Sequence, residues 1–206
     1  MDKTTFHIAD YIRGHEAFHI ARKRLAKRFP QKAHDHDFFE VFLIESGRTA
    51  HWINGITQYL EPGQLAFLRP GDAHAFCADR KTGCQIINVM FRTETADHLA
   101  GRYRDSIAGR FFDARGPMPE MHRLGSARFT RAVNVAQQLQ TSERSLARIE
   151  EFLLFLTNRV ALASIGDQSD APHWFSEACS AAQSVDIIRQ GAPGYIEVAG
   201  RSLEHV

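Results

Sequence analysis

Between Phe38 and Phe91 the apolar residues fall in short runs broken at regular intervals by turn formers. The runs FFEVFLI, RTAHWI, ITQYL, QLAFL, HAFCA and CQIINVMF are rich in aromatic and branched side chains. Between them stand Ser46-Gly47, Asn54-Gly55, Pro62-Gly63, Pro70-Gly71-Asp72 and Lys81-Thr82-Gly83. Six or more strands spaced by about 8–12 residues, with no helical segment among them, predict an antiparallel sandwich or barrel. Asn54-Gly55 is the strongest hairpin signal, because both residues tolerate positive φ. In the first run, alternation puts Glu40, Phe42 and Ile44 on one face and Phe39, Val41 and Leu43 on the other. A strand apolar on both faces needs cover outside the barrel, which the helices that follow can provide.

After Arg92 the period changes. A short helix is expected near Glu94–Arg104. Beyond the loop at Gly116-Pro117 two longer helices follow: Phe129, Val133, Ala136 and Leu139 have helical spacing, as do Leu146, Ile149, Phe152, Leu153, Leu156 and Val160. Ser142 and Ser145 sit where helix caps belong. The short link between the two predicts an antiparallel helical hairpin whose apolar stripe is core or a dimer seam. A polar break, IGDQSDAP, spans 165–172, and after it Trp174, Phe175, Cys179 and Ala182 share one helical face. Before the strands, the basic run RKRLAKR from Arg22 to Arg28 reads as the solvated face of an edge strand or short helix.

Composition narrows the classes. With 44% hydrophobic and 24% charged residues, the chain has ordinary globular composition. A net charge of +1 gives no electrostatic footprint for nucleic acid. Cys77, Cys84 and Cys179 are not spaced like a metal site and suit small buried residues in a reducing cytoplasm. The N-terminal MDKTTFHIAD has no apolar core of signal-peptide length, and no stretch reaches the about 20 apolar residues of a membrane span. A soluble cytosolic protein with no membrane partner is the expectation.

The candidate chemistry lies at the start of the barrel. His34, His36 and Glu40 share parity, and His74 arrives from another strand behind Pro70-Gly71. Imidazole and carboxylate suit Zn, Mn, Fe, Ni or Cu, and the lack of a thiolate disfavours a closed structural zinc site. Hydrogen bonding to a polar ligand is the other use of the same groups. On a straight strand His36 and Glu40 would be about 13 Å apart, so a shared site requires a bend or bulge at Asp37-Phe38-Phe39. His51, on the next strand, stays undecided, and Trp52, Tyr59 and Arg69 are residues that could touch a sugar.

These residues resemble the cupin superfamily. Its first motif, HxHxxxE followed by six residues and Gly, is matched in full by His34, His36, Glu40 and Gly47. The second is matched in part by Gly63, Pro70, Gly71 and His74, with one extra residue before the proline and Ala78 where the family has asparagine. The resemblance implies a double-stranded β-helix barrel with a divalent transition metal on His34, His36, Glu40 and His74.

A closer resemblance uses the whole chain. The order RFPQKAHDHDFFEVFLIESG, NG, LEPGQLAFLRPGDAHAF, INVMF, helical hairpin and GRSLEHV is similar to an AraC-type transcription regulator, the chitobiose-operon-regulator branch in particular. It implies a mainly β chain with added α: a cupin effector-binding barrel over 1–95, a helical region with the dimerising hairpin over 96–165, and the start of a helix-turn-helix domain over 172–206. Ala192–Val198 would be that domain's first helix and Ala199-Gly200-Arg201 its turn. Ser202 would cap the recognition helix, making Arg201, Ser202 and His205 the DNA-facing residues. A recognition helix ending at Val206 is incomplete, so DNA binding is expected of the full-length protein only. The implied function is sensing of a small polar effector, a sugar or sugar phosphate, by a homodimer. The alternative is a metal-dependent cupin enzyme, an isomerase or dioxygenase, using His34, His36, Glu40 and His74.

Overall fold

The computed structural model describes residues 4–25, 32–79, 81–104, 107, 111–112 and 116–166, with side chains from 160 onward excepted. The six predicted strands are all present: β4 (Phe39–Gly47), β5 (Thr49–Ile53), β6 (Ile56–Leu60), β7 (Gln64–Leu68), β8 (His74–Ala78) and β9 (Cys84–Phe91). Pattern reading missed β1 (Thr4–Phe6), the separate β3 (His34–His36) and β10 (Glu120–Arg123), while β2 (Phe18–Leu25) carries the start of the basic run. The strands form two five-stranded sheets, ordered β1-β3-β8-β5-β6 and β10-β7-β4-β9-β2. Pairing is antiparallel except between β1 and β3.

Asn54 (φ 47°) and Gly55 (φ 92°) both adopt the left-handed region, as the β5–β6 hairpin requires. At the other end of β4, Gly47 has φ +76°, and an added Cβ would lie 2.1 Å from the Gly83 carbonyl oxygen. That glycine is the last residue of the first motif. It lets β4 cross closely over the turn that leads into β9.

The two faces of β4 separate two cores. Phe42 and Ile44 point between the sheets, with Leu60, Ala66, Leu68, Phe76 and Ile86. Phe39, Val41 and Leu43 point outward, beneath the helices. Helices α1 (Thr93–Arg102), α2 (Ser126–Thr141) and α3 (Leu146–Gly166) follow the barrel. Ala96 and Leu99 of α1, Ala132, Ala136 and Leu139 of α2, and Ile149, Phe152, Leu153 and Leu156 of α3 cover that outer face. Burying a side chain such as Phe152 there stabilises the fold by about 2–3 kcal/mol. The stripe on α2 is shifted from the expected one, with Phe129 and Val133 only partly buried, and Leu146 at the start of α3 is 58% exposed. Ser142 ends α2, its Oγ donating to the Leu139 carbonyl at 2.9 Å. Ser145 precedes α3, but its hydroxyl has no partner and does not cap.

Among the described residues no helix is long and apolar enough to cross a membrane. Cys77 and Cys84 are free thiols. Cys179, Arg201, Ser202, His205 and the whole expected helix-turn-helix segment lie outside the described residues.

Candidate functional site

The site depends on a corner. After His36 the chain leaves one sheet, and at Phe39 it enters the other. The corner is pinned from several sides. His36 Nδ1 donates to the Phe38 carbonyl at 2.7 Å, the Asp37 carboxylate accepts from the Ile8 amide at 2.8 Å, and the His36 carbonyl accepts from the Gly71 amide at 2.9 Å. The Phe38 ring is buried and stacks on His36 with centroids 4.4 Å apart. His36 Nε2 and a Glu40 carboxyl oxygen thereby come within 3.7 Å, not the separation of a straight strand. The bend expected at Asp37-Phe38-Phe39 is present.

His74 is delivered by the Pro70-Gly71-Asp72 turn. The Asp72 carboxylate accepts from the Arg69 amide at 2.8 Å, from its guanidinium at 2.9 and 3.0 Å, and from Asn54 Nδ2 at 2.8 Å. Asn54 Oδ1 in turn accepts from the Ala73 amide at 2.9 Å. Burial alone would raise the Asp72 carboxyl, but the hydrogen bonds from Arg69 and Asn54 outweigh it and hold the group below its ordinary range. Asp72→Asn is expected to lower stability by about 2 kcal/mol, because it breaks charge-assisted bonds; urea denaturation measures it.

One nitrogen each of His36 and His74 and one oxygen of Glu40 lie within 4.8 Å of one another, and all three residues are buried. His36 Nε2, Glu40 Oε1, His74 Nε2 and Asn88 Oδ1 are buried with no hydrogen-bond partner. Four such atoms within one polar end of a barrel need a ligand, water or ion to satisfy them. Neutral imidazoles with a carboxylate fit a divalent transition metal equally well, so the donor set passes that test. His34 is adjacent but outside the triplet. Its ring lies 4.4 Å from that of His74 and 4.5 Å from that of Phe6, and its Nδ1 donates to the Lys32 carbonyl at 3.2 Å.

A cavity of about 470 Å³ opens over these groups, lined by His34, Glu40 and His74 together with Lys23, Asn88 and the ring of Tyr11. Arg22 and Arg24 match the solvated face expected of the basic run, but Lys23 has the opposite parity and faces the cavity. Trp52, Tyr59 and Arg69 do not line it. Sequence reasoning missed Lys23 and Asn88. An amide in the middle of the apolar stretch IINVMF was the available signal for Asn88. No local signal marks Lys23, since its direction is set by pairing with Ile86.

His51 belongs to the site as well. It is fully buried, with Nε2 3.4 Å from His74 Nδ1 and Nδ1 3.2 Å from Gln58 Nε2. Desolvation lowers the histidines: His36 and His51 to about 4, and His74 well below its ordinary value. Desolvation raises Glu40 to about 7, against opposing effects of Lys23 and of a hydrogen bond from Asn88. The two kinds of group act oppositely on stability. The histidines contribute fully above pH 6.5 and lose that contribution as pH falls toward 4, because the unfolded chain then binds the protons. Glu40 contributes fully below pH 4.5 and loses it as pH rises through 7. Three histidines outweigh one carboxyl, so acidification from pH 6.5 to 4.5 is expected to lower stability by about 1–2 kcal/mol per pH unit, read from urea midpoints.

The AraC-like ligand binding domain matches residues 14–154. The HTH-type transcriptional activator RhaS of Escherichia fergusonii is 29% identical over 91 residues, 44% of this chain and 31% of that protein. RhaS of Yersinia pestis is 36% identical over 72 residues, 34% of this chain and 26% of that protein. The matched region thus spans 26–31% of the length of these curated relatives. Among solved structures, ToxT from Vibrio cholerae superposes with a TM-score of 0.52 at 10% identity, covering 92% of this chain and 78% of that one, a likeness of fold. With more than half of its residues inside the family match, the chain belongs to the AraC-like ligand-binding domain family.

Proposed function

We propose that the chain is the sensing region of a transcription regulator, in which the barrel cavity takes a small polar effector and the bound state alters DNA binding by the full-length protein. The observation that carries this reading is the set of buried, unpartnered polar atoms on Glu40, His74 and Asn88 facing a cavity in a ligand-binding family fold, with the unpartnered nitrogen of His36 beside Glu40 and His74. The effector class that suits them is a sugar or sugar phosphate. Its hydroxyls can both donate and accept, and Lys23 and Lys32 at the cavity wall attract a phosphate. The relatives bearing the name transcriptional activator favour a non-enzymatic role and a cytoplasmic location.

The barrel offers a direct route from pocket to helices. On β4, Glu40 faces the cavity while its neighbours Phe39 and Val41 pack under the helices; on β9, Asn88 faces the cavity while Ile87 and Val89 pack outward. A ligand that moves Glu40 or Asn88 therefore moves side chains in the seam with α2 and α3. An effector shifts the regulator only through its differential affinity for two arrangements, about 1–3 kcal/mol in ordinary cases. The hairpin presents a groove that mixes apolar Val135 and Phe155 with polar Gln138, Arg148 and Glu151, a surface open to a second copy in a homodimer.

A second reading has its own observation. The convergence of His36, Glu40 and His74 allows those residues to hold Zn, Mn, Fe or Ni, where the ion would supply a Lewis-acid contact to the effector. His34, 4.4 Å from His74 between ring centroids, stands beside that triplet. The test of the main reading is a reporter driven by the full-length regulator. Addition of the effector is expected to change its output, and His36→Ala or Glu40→Gln to abolish that response. A response undiminished in both variants would remove the pocket from the account.

A further inference from the structure

The hydrogen bonds behind His74 decide what that residue presents to the cavity. Gln58 Nε2 lies 3.2 Å from His51 Nδ1 and 3.7 Å from the sulfur of Met121. A thioether sulfur only accepts hydrogen bonds, so Met121 favours the amide nitrogen, not the amide oxygen, at this position. With two hydrogens for two acceptors, Gln58 donates to both. His51 Nδ1 is then an acceptor and the proton of the neutral ring sits on Nε2, which donates to His74 Nδ1 across 3.4 Å. His74 must carry its own proton on Nε2, the nitrogen that is buried without a protein partner. His36 is held the other way: its Nδ1 donates to the Phe38 carbonyl, leaving a lone pair on Nε2.

We propose that Met121 and Gln58, acting through His51, hold the His74 ring in its Nε2–H form, so that His74 enters the cavity as a hydrogen-bond donor and ligates a divalent metal only after the Gln58 amide turns over. Turnover conserves every proton. The amide oxygen replaces the nitrogen beside His51, whose proton moves from Nε2 to Nδ1 to donate to it. His74 likewise carries its proton on Nδ1, donating to His51 Nε2, and its Nε2 lone pair becomes free. Both rings stay neutral throughout. Gln58 and His51 are thus positioning residues that set the selectivity of the site between an acceptor-bearing ligand, such as an alcohol or phosphate, and a metal ion. This goes beyond the sensor reading and does not depend on which effector binds. A failed effector search leaves it standing, and a wrong tautomer leaves the sensor reading standing.

The test is long-range proton–nitrogen correlation of the histidine rings in the 15N-labelled chain without added metal, with His74 assigned by loss of its signals in His74→Gln. The expected result is an Nε2–H tautomer for His74 and an Nδ1–H tautomer for His36. Gln58→Glu offers only acceptors, so it is expected to switch His74 to Nδ1–H and to raise zinc affinity by about tenfold, within the range seen for groups that orient metal-bound histidines. Wild-type protein with His74 already in the Nδ1–H form would overturn the proposal. So would tighter zinc binding by Gln58→Glu with no change of tautomer. Because the first measurement does not use Gln58→Glu, the proposal stays testable even if that variant fails to fold.

Discussion

A Glu40→Gln variant is expected to unfold later than the parent at pH 8 and to bind effector about a hundredfold more weakly, a loss of about 2.7 kcal/mol. Both effects come from the same burial. Glu40 is 3% exposed, and desolvation raises its carboxyl to about 7, so at pH 8 the native state holds a charge in a poorly solvated place. A raised carboxyl contributes stability below pH 4.5 that is lost as pH climbs through 7. At about 1.4 kcal/mol per pH unit of displacement, the loss above pH 7 is on the order of 3 kcal/mol. The amide isostere carries no charge and can donate to His36 Nε2, which now has no partner. The stability gain of the variant should therefore be absent below pH 4.5, grow between 4.5 and 7, and be constant above; urea titrations at three pH values measure it. The cost falls on binding, because the charged acceptor that reads the ligand becomes a neutral amide with a single acceptor oxygen. A site that destabilises its own fold is the pattern expected where a group is kept for function.

Gly47→Ala should do more damage than any other single change considered, about 4 kcal/mol or more, enough to leave little folded protein at 37 °C. Two causes add. The residue has φ +76°, which costs an L side chain on the order of 1 kcal/mol, and the new Cβ would meet the Gly83 carbonyl oxygen at 2.1 Å. That oxygen also accepts from the Arg48 amide at 3.0 Å, so the turn cannot withdraw without losing a bond. Gly55→Ala is a useful contrast. It has φ +92° but nothing within 4 Å of its Cβ, so only the backbone strain remains. Thermal unfolding by circular dichroism separates the two.

The strands were legible because each is a local pattern: a run of apolar residues closed by a glycine or proline turn. The corner at Asp37-Phe38-Phe39 was legible for a different reason, since three ligand-type residues with shared parity make sense together only if the strand breaks. What escaped was whatever depends on pairing between distant strands. Lys23 and Asn88 reach the cavity because β2 and β4 flank β9 in one register. His51 could be placed beside His74 only once β5 was seen to pair with β8. Gln58 and Met121 meet although 63 residues separate them, on the edge strands of different sheets. The first and last strands were missed because three or four residues, TTF and EMHR, are too short to show a period.

On the proposed reading, the polar end of the barrel takes its ligand on His36, Glu40 and His74. Isothermal titration of the chain with a panel of mono- and disaccharides and their phosphates tests it most directly, with His36→Ala and Glu40→Gln run alongside. The predicted result is saturable binding of at least one of these compounds by the parent, weakened about a hundredfold or more in both variants. Binding that survives both substitutions unchanged, or a parent that takes none of the panel, would contradict it.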